Sequence, residues 1–383
     1  MTAQLRVEIA RTTEQLEGLR PAWDELPWKR EEAAYPYFTA RLRTRDGVVG
    51  PFAAIVYQGD TPIGGLAARI EMRRLAASIG YRELYAPTVR ALQVVDGGIA
   101  SAHPGAPTAL ARVIEGALET GDAEVVALPP LEVGSELATA FASIGGPLTR
   151  QPLIEPWTRR LLRLPGSFDE FLASRSHKTR KGIRRDARQL EAAFGNALSV
   201  EIVRDPADAG RLIADADLVA QSTYQRRLGA GFSDTAEQRE LIRVGLENGW
   251  VRGYLLYLEG KPAAYWLCSP FRRTTLLRTG GFDDAYAEHR VGIYLLMRVI
   301  EDACADPELD LLDFGPGDAA YKEQYSNETR EERNAVVFAP TFRARRINAT
   351  RTAILGPARL AKAGLDATQL TSRVKTTLRR RAT

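Results

Sequence analysis

Proton-transferring side chains crowd around one short turn in the last third of the chain. Five of them flank the sequence Gly315-Pro316-Gly317: Asp313, Asp318, Tyr321, Lys322 and Tyr325. The four-residue spacing of the two tyrosines predicts one face of a helix, and Asp318 is placed to cap that helix. Both tyrosines are equally consistent with core positions, and Lys322 with either an anionic partner or solvent.

Other chemistries lack their characteristic spacing in this sequence. There is no Gly-x-Ser-x-Gly nucleophile elbow, and only three histidines occur, His103, His177 and His289. Neither Cys-x-x-Cys nor His-Glu-x-x-His is present. The sequence therefore favours acid–base chemistry without a covalent nucleophile or a metal. Asp283, Asp284, His289, water or the substrate itself could accept the proton, and the sequence singles out none of them.

A loop over 288–293, with the sequence EHRVGI, precedes a helix that is predicted to start near Gly292. Backbone N–H groups at a helix start bind anions, and Arg290 adds a positive charge beside them. Arg290, Val291, Gly292 and Ile293 are the candidate ligand-binding residues of this loop. A single glycine before a helix is also common without any ligand.

A second charged feature is the run SHKTRKGIRRDARQLE at 176–191. On a helix, Lys178, Lys181, Arg185 and Arg188 form one continuous stripe. Such a run is often a solvated face, but here basic groups far outnumber acids. We expect an anionic partner, such as the phosphates of CoA, of tRNA or of a lipid-linked acceptor.

The elements that must position these residues occur twice. FAAIVYQGDTPIGGLA at 52–67 and RGYLLYLEGKPAAYWL at 252–267 each predict a hairpin, with Tyr57 matching Tyr257 and Pro62 matching Pro262. Later, the helical segments around 112–115 and 298–301 share Arg-Val-Ile-Glu, and each leads to a short apolar strand. Two matches in the same order indicate duplication.

The duplicated plan predicts two mixed α/β sheets flanked by helices. The Gly/Pro-rich stretch at 145–160 divides them into halves at 1–150 and 151–340. The first half lacks the acidic turn and its Tyr-Lys, having Ala-Leu-Pro-Pro-Leu-Glu instead, and is expected to be structural or acceptor-binding. A basic tail, 341–383, is predicted to be disordered or partly helical, because Gly356-Pro357 and Gly364 interrupt it.

Charge and composition limit the class of protein. The tail carries eleven Lys/Arg and one acid, whereas residues 1–340 carry 41 basic and 47 acidic groups. A hydrophobic fraction of 45% and a charged fraction of 26% are those of a globular protein. With two cysteines, no signal peptide and no spanning segment, we expect a cytoplasmic protein whose basic tail is able to contact an anionic membrane surface.

The sequence RTGGFDDAYAEHRVGIYLLMRVIEDA, followed by LDLLDFGPGDAAYKEQY, resembles the signature region of the GNAT superfamily. The branch is that of the Fem-type aminoacyltransferases and the cellulose-biosynthesis (CelD-type) acetyltransferase-like proteins. The likeness spans about 160–340 well and reaches 1–150 only through the duplicated plan. It implies tandem GNAT halves.

The resemblance also implies roles for residues. Tyr321 becomes the candidate general acid, and Lys322 and Asp313 complete the predicted catalytic set. Donor binding falls on Arg290–Ile293, and the segment with Tyr224 and Arg227 would line an acceptor groove. CoA-dependent members usually carry a fuller Arg/Gln-x-x-Gly-x-Gly/Ala phosphate loop, whereas the loop here has one glycine; this departs from a standard acetyl-CoA cradle and favours a different donor.

The leading hypothesis is an N-acyltransferase that moves an acyl group from an acyl-CoA thioester to an amine by direct attack, with no permanently bound cofactor. The sequence shows no long helical-hairpin insertion of the kind some tRNA-dependent members carry, which favours the thioester donor. An aminoacyl-tRNA-dependent, Fem-like transferase is the first alternative. A non-catalytic GNAT-fold scaffold in an envelope or polysaccharide system is the second.

Overall fold

The computed structural model describes residues 5–79, 82–223, 231–317 and 319–367, with side-chain surroundings described as far as Pro357. Within them the strands are β1 Leu5–Ala10, β2 Val48–Gln58, β3 Thr61–Arg74, β4 Ala77–Ile79, β5 Arg82–Tyr85, β6 Thr88–Ser101, β7 Val125–Glu132, β8 Trp157–Arg163, β9 Leu198–Val203, β10 Arg252–Leu258, β11 Lys261–Phe271, β12 Thr274–Phe282, β13 Leu311–Asp313 and β14 Glu328–Phe338. The helices are α1 Thr13–Gly18, α2 Arg20–Glu25, α3 Tyr35–Thr44, α4 Ala106–Glu119, α5 Glu136–Ala142, α6 Phe168–Ala173, α7 His177–Phe194, α8 Ala209–Ser222, α9 Ala236–Glu247, α10 Val291–Ala305, α11 Ala320–Tyr325 and α12 Phe342–Ala367. Short 3-10 turns occupy Glu31–Ala33, Gly195–Ala197, Pro206–Asp208 and Asp284–His289.

Unit 1 is the first compact body, drawn from 1–27, 47–156 and the chain from 333 onward. Its strands lie in the order β1-β2-β3-β6-β7, with β14 next. β6 and β7 pair in parallel, whereas the pairs β1–β2, β2–β3 and β3–β6 are antiparallel. The apolar face of α4, including Leu110 and Ile114, packs on these strands and closes the core.

Unit 2 is the second body, formed by 28–46 and 157–332. The first residues of β14 pair with β8, and the order continues β13-β12-β11-β10-β9. Only β12 and β13 are parallel among these pairs, and α10 connects them in the chain. Buried residues of α10, such as Leu295 and Ile300, belong to the unit's main core. This mixed α/β sheet with helices is the predicted fold class, which is confirmed.

The two predicted hairpins are present and share an unusual register. Tyr57 lies opposite Pro62, and Tyr257 lies opposite Pro262. In both hairpins the register shifts at the residue just before the tyrosine. A β-bulge at the same place is a specific feature of a strand pair, so the likeness between the halves extends from sequence to backbone.

The compact units are discontinuous, unlike the predicted division at 1–150 and 151–340. Residues 28–46 belong to unit 2, and residues from 333 onward belong to unit 1. Within unit 2, Tyr37 and Ala40 of α3 pack against Leu241 and Val244 of α9, which explains why an N-terminal segment joins a C-terminal body.

The predicted break in the tail at Gly356-Pro357 is wrong within the described residues. α12 runs from Phe342 to Ala367 with Pro357 inside it. Its early turns are anchored in unit 1, because Ala344 and Ile347 are buried in the core and Asn348 donates to the backbone oxygens of Leu148 and Arg150. No helix among the described residues combines the length and apolar character needed to cross a membrane.

Charges fix segment 28–46 within unit 2. The carboxylate of Glu31, 1% exposed, pairs with Arg278, and Arg41 pairs with Glu32 at 3.1 Å and with Glu237 at 3.3 Å. Removing one partner of a buried pair leaves the other charge desolvated, which is expensive.

We therefore predict that Glu31→Gln lowers the free energy of unfolding of unit 2 by about 3 kcal/mol. The control is Glu247→Gln, since Glu247 pairs with Arg243 on an exposed helix face and such pairs contribute about 0.5 kcal/mol or less. Urea denaturation followed by circular dichroism measures both. Equal losses for the two variants would show that the Glu31 pair does not anchor the segment.

Candidate active site

A cavity of about 400 Å³ opens in unit 2 where β12 ends, α10 begins and α11 lies alongside. Its walls are largely apolar with a few polar groups, the usual composition of a small-molecule site. The lining residues are Thr223, Trp266, Gly280, Gly281, Phe282, Asp284, Ala287, Arg290, Gly292, Ile293, Leu296, Ala319 and Tyr321.

Glycines beside large aromatic rings shape this cavity. A Cβ on Gly280 would lie 2.4 Å from the ring of Trp266, and a Cβ on Gly292 would lie 2.8 Å from Phe282. At each of these positions a larger residue would clash with the aromatic ring, so glycine is what allows the ring to pack there. Gly292 has a packing reason of its own, besides any contact with a ligand.

The matching corner of unit 1, where strand β3 meets the start of α4, is built from small residues. In unit 1, Gly64 lies opposite Ser101. The equivalent pair in unit 2 is Ala264 and Phe282. A Cβ on Gly64 would lie 2.5 Å from the Cβ of Ala106, the first residue of α4. Strand and helix thus touch directly in unit 1, whereas in unit 2 aromatic rings line an open cavity.

Arg290 turns the chain into α10 and is tied down from the side. It has the left-handed backbone conformation, with φ 55° and ψ 34°, which is strained for a residue with a side chain. Its Nε lies 2.7 Å from Oδ2 of Asp186, a buried residue of α7 that also pairs with Arg185 at 2.8 Å. A further bond from the Tyr294 hydroxyl to Glu191, 3.3 Å, joins α10 to α7.

Three of the four predicted donor-binding residues line the cavity. They are Arg290, Gly292 and Ile293. Val291 is completely buried and packs in the core, so its side chain does not reach the cavity. Because Arg290 pairs with Asp186, its positive charge is partly neutralised, and the ion pair holds the loop against α7.

Asp313, predicted to be catalytic, lies at the buried end of β13 and is 0% exposed. Arg159 donates to its Oδ2 from Nε at 2.8 Å, Arg30 pairs with the same oxygen, and the Gly315 N–H donates to Oδ1 at 2.9 Å. Burial disfavours the charged carboxylate, but Arg30, Arg159 and the Gly315 N–H outweigh it and hold the pKa of Asp313 below its usual value. Asp313 does not line the cavity, and its contacts are those of a structural ion pair.

Lys322, also predicted to be catalytic, is buried at 6% exposure. Its Nζ donates to the backbone oxygens of Gly315 at 3.1 Å and Pro316 at 2.6 Å. These bonds hold the glycine turn, in which Gly315 and Gly317 have φ of 70° and 89°. Lys322 is directed to the turn and does not line the cavity.

Tyr321 is the predicted catalytic residue that lies at the cavity wall. Its ring contacts Phe314 and Trp266 edge-on, with centroids 6.2 Å and 6.4 Å away. Tyr325, four residues later, is 1% exposed and packs against Phe171. Burial raises the pKa of the Tyr325 hydroxyl, as expected for a core tyrosine.

The other predicted residues are dispersed. Of the acceptor or anion-binding set, Lys178 and Lys181 are exposed on α7, and Arg185 is turned toward Asp186. Tyr224, Arg227 and Asp318 lie outside the described residues. Of the candidate bases, Asp284 lines the cavity, whereas His289 packs edge-on against Phe194 at 5.1 Å.

Trp266 and Phe282 also form the cavity wall and are not among the predicted site residues, whereas Thr223 lies in the segment 222–227 predicted to line the acceptor groove. A signal for the first two was available. Gly280 and Gly281 follow each other inside a strand, which is unusual and marks close approach by another group.

Comparison with known proteins identifies the part of the chain that holds the cavity. Residues 177–323 match the family model described as an acetyltransferase (GNAT) domain. The chain contains a GNAT acyltransferase domain. All the lining residues fall within that range, and the predicted GNAT resemblance is confirmed.

Among the similar solved structures, FemX and L-PGS share the fold over most of the chain. FemX is 11% identical with a TM-score of 0.57, covering 85% of this chain and 96% of that one. L-PGS from Bacillus licheniformis is 13% identical with a TM-score of 0.51, covering 88% and 96%. A tandem GNAT protein from the clavulanic acid biosynthesis pathway is 13% identical with a TM-score of 0.47, covering 88% and 99%. A comparison with curated protein sequences returned no match.

The depressed pKa of Asp313 predicts a pH-dependent contribution to stability. An unfolded aspartate titrates near ~3.9, so the contribution is complete above about pH 4 and is lost as the pH falls through the lower, folded value. At pH 7, Asp313→Asn should lower the free energy of unfolding by about 3 kcal/mol, because two arginines lose their partner. The difference from the unsubstituted protein should shrink below pH 4.

Urea denaturation across pH 3 to 7 measures this difference. Asp310→Asn is the control, because Asp310 pairs with Arg273 at the surface and should change little at any pH. A loss for Asp313→Asn that stays constant down to pH 3 would contradict the assignment of an ionised carboxylate.

Proposed function

We propose that unit 2 transfers an acyl group from a thioester donor, of the acyl-CoA type, to an amine by direct attack in the 400 Å³ cavity. The observation that carries the proposal is the position of Tyr321. Its side chain lines a largely apolar cavity together with the first turn of α10, inside the residues that match the acetyltransferase domain.

The cavity supplies what direct attack requires. Apolar walls formed by Trp266, Phe282 and Leu296 exclude water from the thioester, which reduces hydrolysis. In the first turn of α10 the Ile293 N–H donates to the Arg290 backbone oxygen at 3.0 Å, which leaves the Val291 and Gly292 N–H groups to favour negative charge beside them. A donor carbonyl placed there gains stabilisation as its oxygen becomes negative.

Proton transfers follow from the groups in the wall. The amine nitrogen attacks the carbonyl carbon and forms a tetrahedral intermediate. When this collapses, the C–S bond breaks and the leaving sulfur takes the phenolic proton of Tyr321. The proton lost by the amine passes to Asp284 or to water, and Tyr321 is reprotonated from solvent, so the products are an amide and a free thiol.

An aminoacyl ester is the alternative donor and would use the same cavity. Its leaving group would be a ribose hydroxyl instead of a thiol, and that alkoxide would need the Tyr321 proton even more. The structural likeness to FemX concerns the fold, so it leaves the donor open. We favour the thioester because the apolar cavity suits an uncharged acyl group.

Replacing the proposed acid tests the mechanism. Tyr321→Phe removes only the hydroxyl, and we predict that kcat falls by about 100-fold or more while KM for the donor changes little. Release of free thiol from acetyl-CoA with a panel of amines provides the assay. Tyr325→Phe is the matched control, because Tyr325 lies on the same helix but is buried in the core.

Retention of kcat in Tyr321→Phe would remove Tyr321 from the mechanism. If no thiol is released with any amine, transfer of a radiolabelled aminoacyl group from aminoacyl-tRNA to the same amines decides for the alternative donor. Inactivity with both donors would favour the scaffold hypothesis.

Donor binding should depend on the space at Gly292. We predict that acetyl-CoA raises the midpoint of thermal unfolding, and that Gly292→Ala reduces this shift because the new Cβ displaces the Phe282 ring into the cavity. Gly182→Ala is the control, since a Cβ there meets nothing within 4 Å. A full acetyl-CoA shift in Gly292→Ala would place the donor elsewhere.

A further inference from the structure

A second cavity of unit 2 lies against α6 and α7 and is lined mainly by basic groups. Its volume is about 570 Å³, large enough for a nucleotide-sized ligand. We call it the basic cleft, and its charged and titratable lining residues are Asp169, His177, Arg180, Lys181, Arg184 and Arg188.

The cations of the basic cleft are not neutralised by the protein. Among the described residues, no carboxylate oxygen lies within 4 Å of the charged nitrogens of Arg180, Lys181, Arg184 or Arg188. Arg180 and Arg188 donate only to backbone oxygens, those of Ala173 and Arg184. Four such charges around one cavity repel each other unless an anion enters.

Most other arginines of unit 2 behave differently. On the same helix, Arg185 pairs with Asp186, which also receives Arg290. Arg159, Arg204 and Arg252 likewise each have a carboxylate partner. Among the described residues of unit 2, the unpaired arginines are therefore concentrated in the basic cleft, and a general excess of arginine does not explain them.

The helix itself adds to the positive potential. His177 is the first residue of α7, an 18-residue helix, and it lines the basic cleft. The N-terminal end of a helix carries a partial positive charge from its aligned peptide dipoles. Arginine side chains together with this end are suited to phosphate oxygens, which arginine binds in pairs.

We propose that the basic cleft binds the diphosphate group of a small-molecule ligand. Four permanent cations against one acid, Asp169, match the charge of a diphosphate. A single-stranded nucleic acid is disfavoured, because such sites stack bases on aromatic rings and the basic cleft has no phenylalanine, tyrosine or tryptophan among its described lining residues. This proposal concerns binding alone and is independent of the acyl-transfer chemistry.

Calorimetric titration of the full chain with inorganic pyrophosphate tests the proposal. We expect a dissociation constant on the order of micromolar, and weaker binding of inorganic phosphate. Lys181→Gln and Arg184→Gln should each weaken pyrophosphate binding about tenfold. Lys261→Gln is the control: it removes one exposed lysine of unit 2 that lies outside the basic cleft and outside every predicted site, so the variant should bind pyrophosphate normally.

Further titrations identify the source of the diphosphate. CoA carries it on the donor, and farnesyl diphosphate presents it on a lipid; tighter binding of either than of pyrophosphate, sensitive to Lys181→Gln, supports the proposal and names the class. Three results would overturn it: no binding of pyrophosphate, an equal loss in Lys261→Gln, or binding of a single-stranded RNA oligonucleotide that pyrophosphate does not displace. None of these readings depends on turnover, so they stay separate from a failure of the proposed acyl transfer.

Discussion

One buried carboxylate holds the part of unit 2 on which the cavity depends. Asp313 ends β13 without exposure to solvent, and Arg159 and Arg30 neutralise it there. Its second oxygen accepts the Gly315 N–H, so the same side chain also starts the glycine turn. The Nζ of Lys322 donates to the backbone oxygens of Gly315 and Pro316 in that turn. Tyr321 is the residue immediately before Lys322 in α11. A pair of this kind contributes little net stability compared with apolar packing, but it specifies one backbone path. The path places the Tyr321 ring at the cavity.

The two halves show how one backbone plan supports an open and a closed corner. Both have the bulged hairpin, the parallel strand pair and the helix between those strands. In unit 1, Gly64 lets the start of α4 pack directly on the strand. In unit 2, the large rings of Trp266 and Phe282 pack over glycines instead and line a cavity. A difference in side-chain size at a few matched positions, and not a different topology, separates the two corners.

Much of the fold could be predicted from local patterns. The hairpins, the helices over 106–119 and 291–305 and the strands after them follow from alternation, turn residues and apolar periodicity, which act over short distances. Two features depend on contacts distant in sequence and could not be predicted. Segment 28–46 joins unit 2 through α9 and Arg278, and α12 continues through Pro357 with its early turns held by unit 1.

For the candidate site, the loop pattern selected Arg290, Gly292 and Ile293, the family resemblance selected Tyr321, and all four line one cavity. The same reasoning could not distinguish a reactive Asp or Lys from a buried one, because partners such as Arg30 come from far along the chain. In the proposed mechanism the donor's acyl group reacts in the unit 2 cavity, and a crystal structure with a thioether analogue of acetyl-CoA would locate that group. We predict that the analogue's sulfur lies within hydrogen-bond reach of the Tyr321 hydroxyl, with the acyl group between Trp266 and the start of α10. An analogue bound in unit 1, or bound away from Tyr321, would show that acyl transfer does not take place in this cavity.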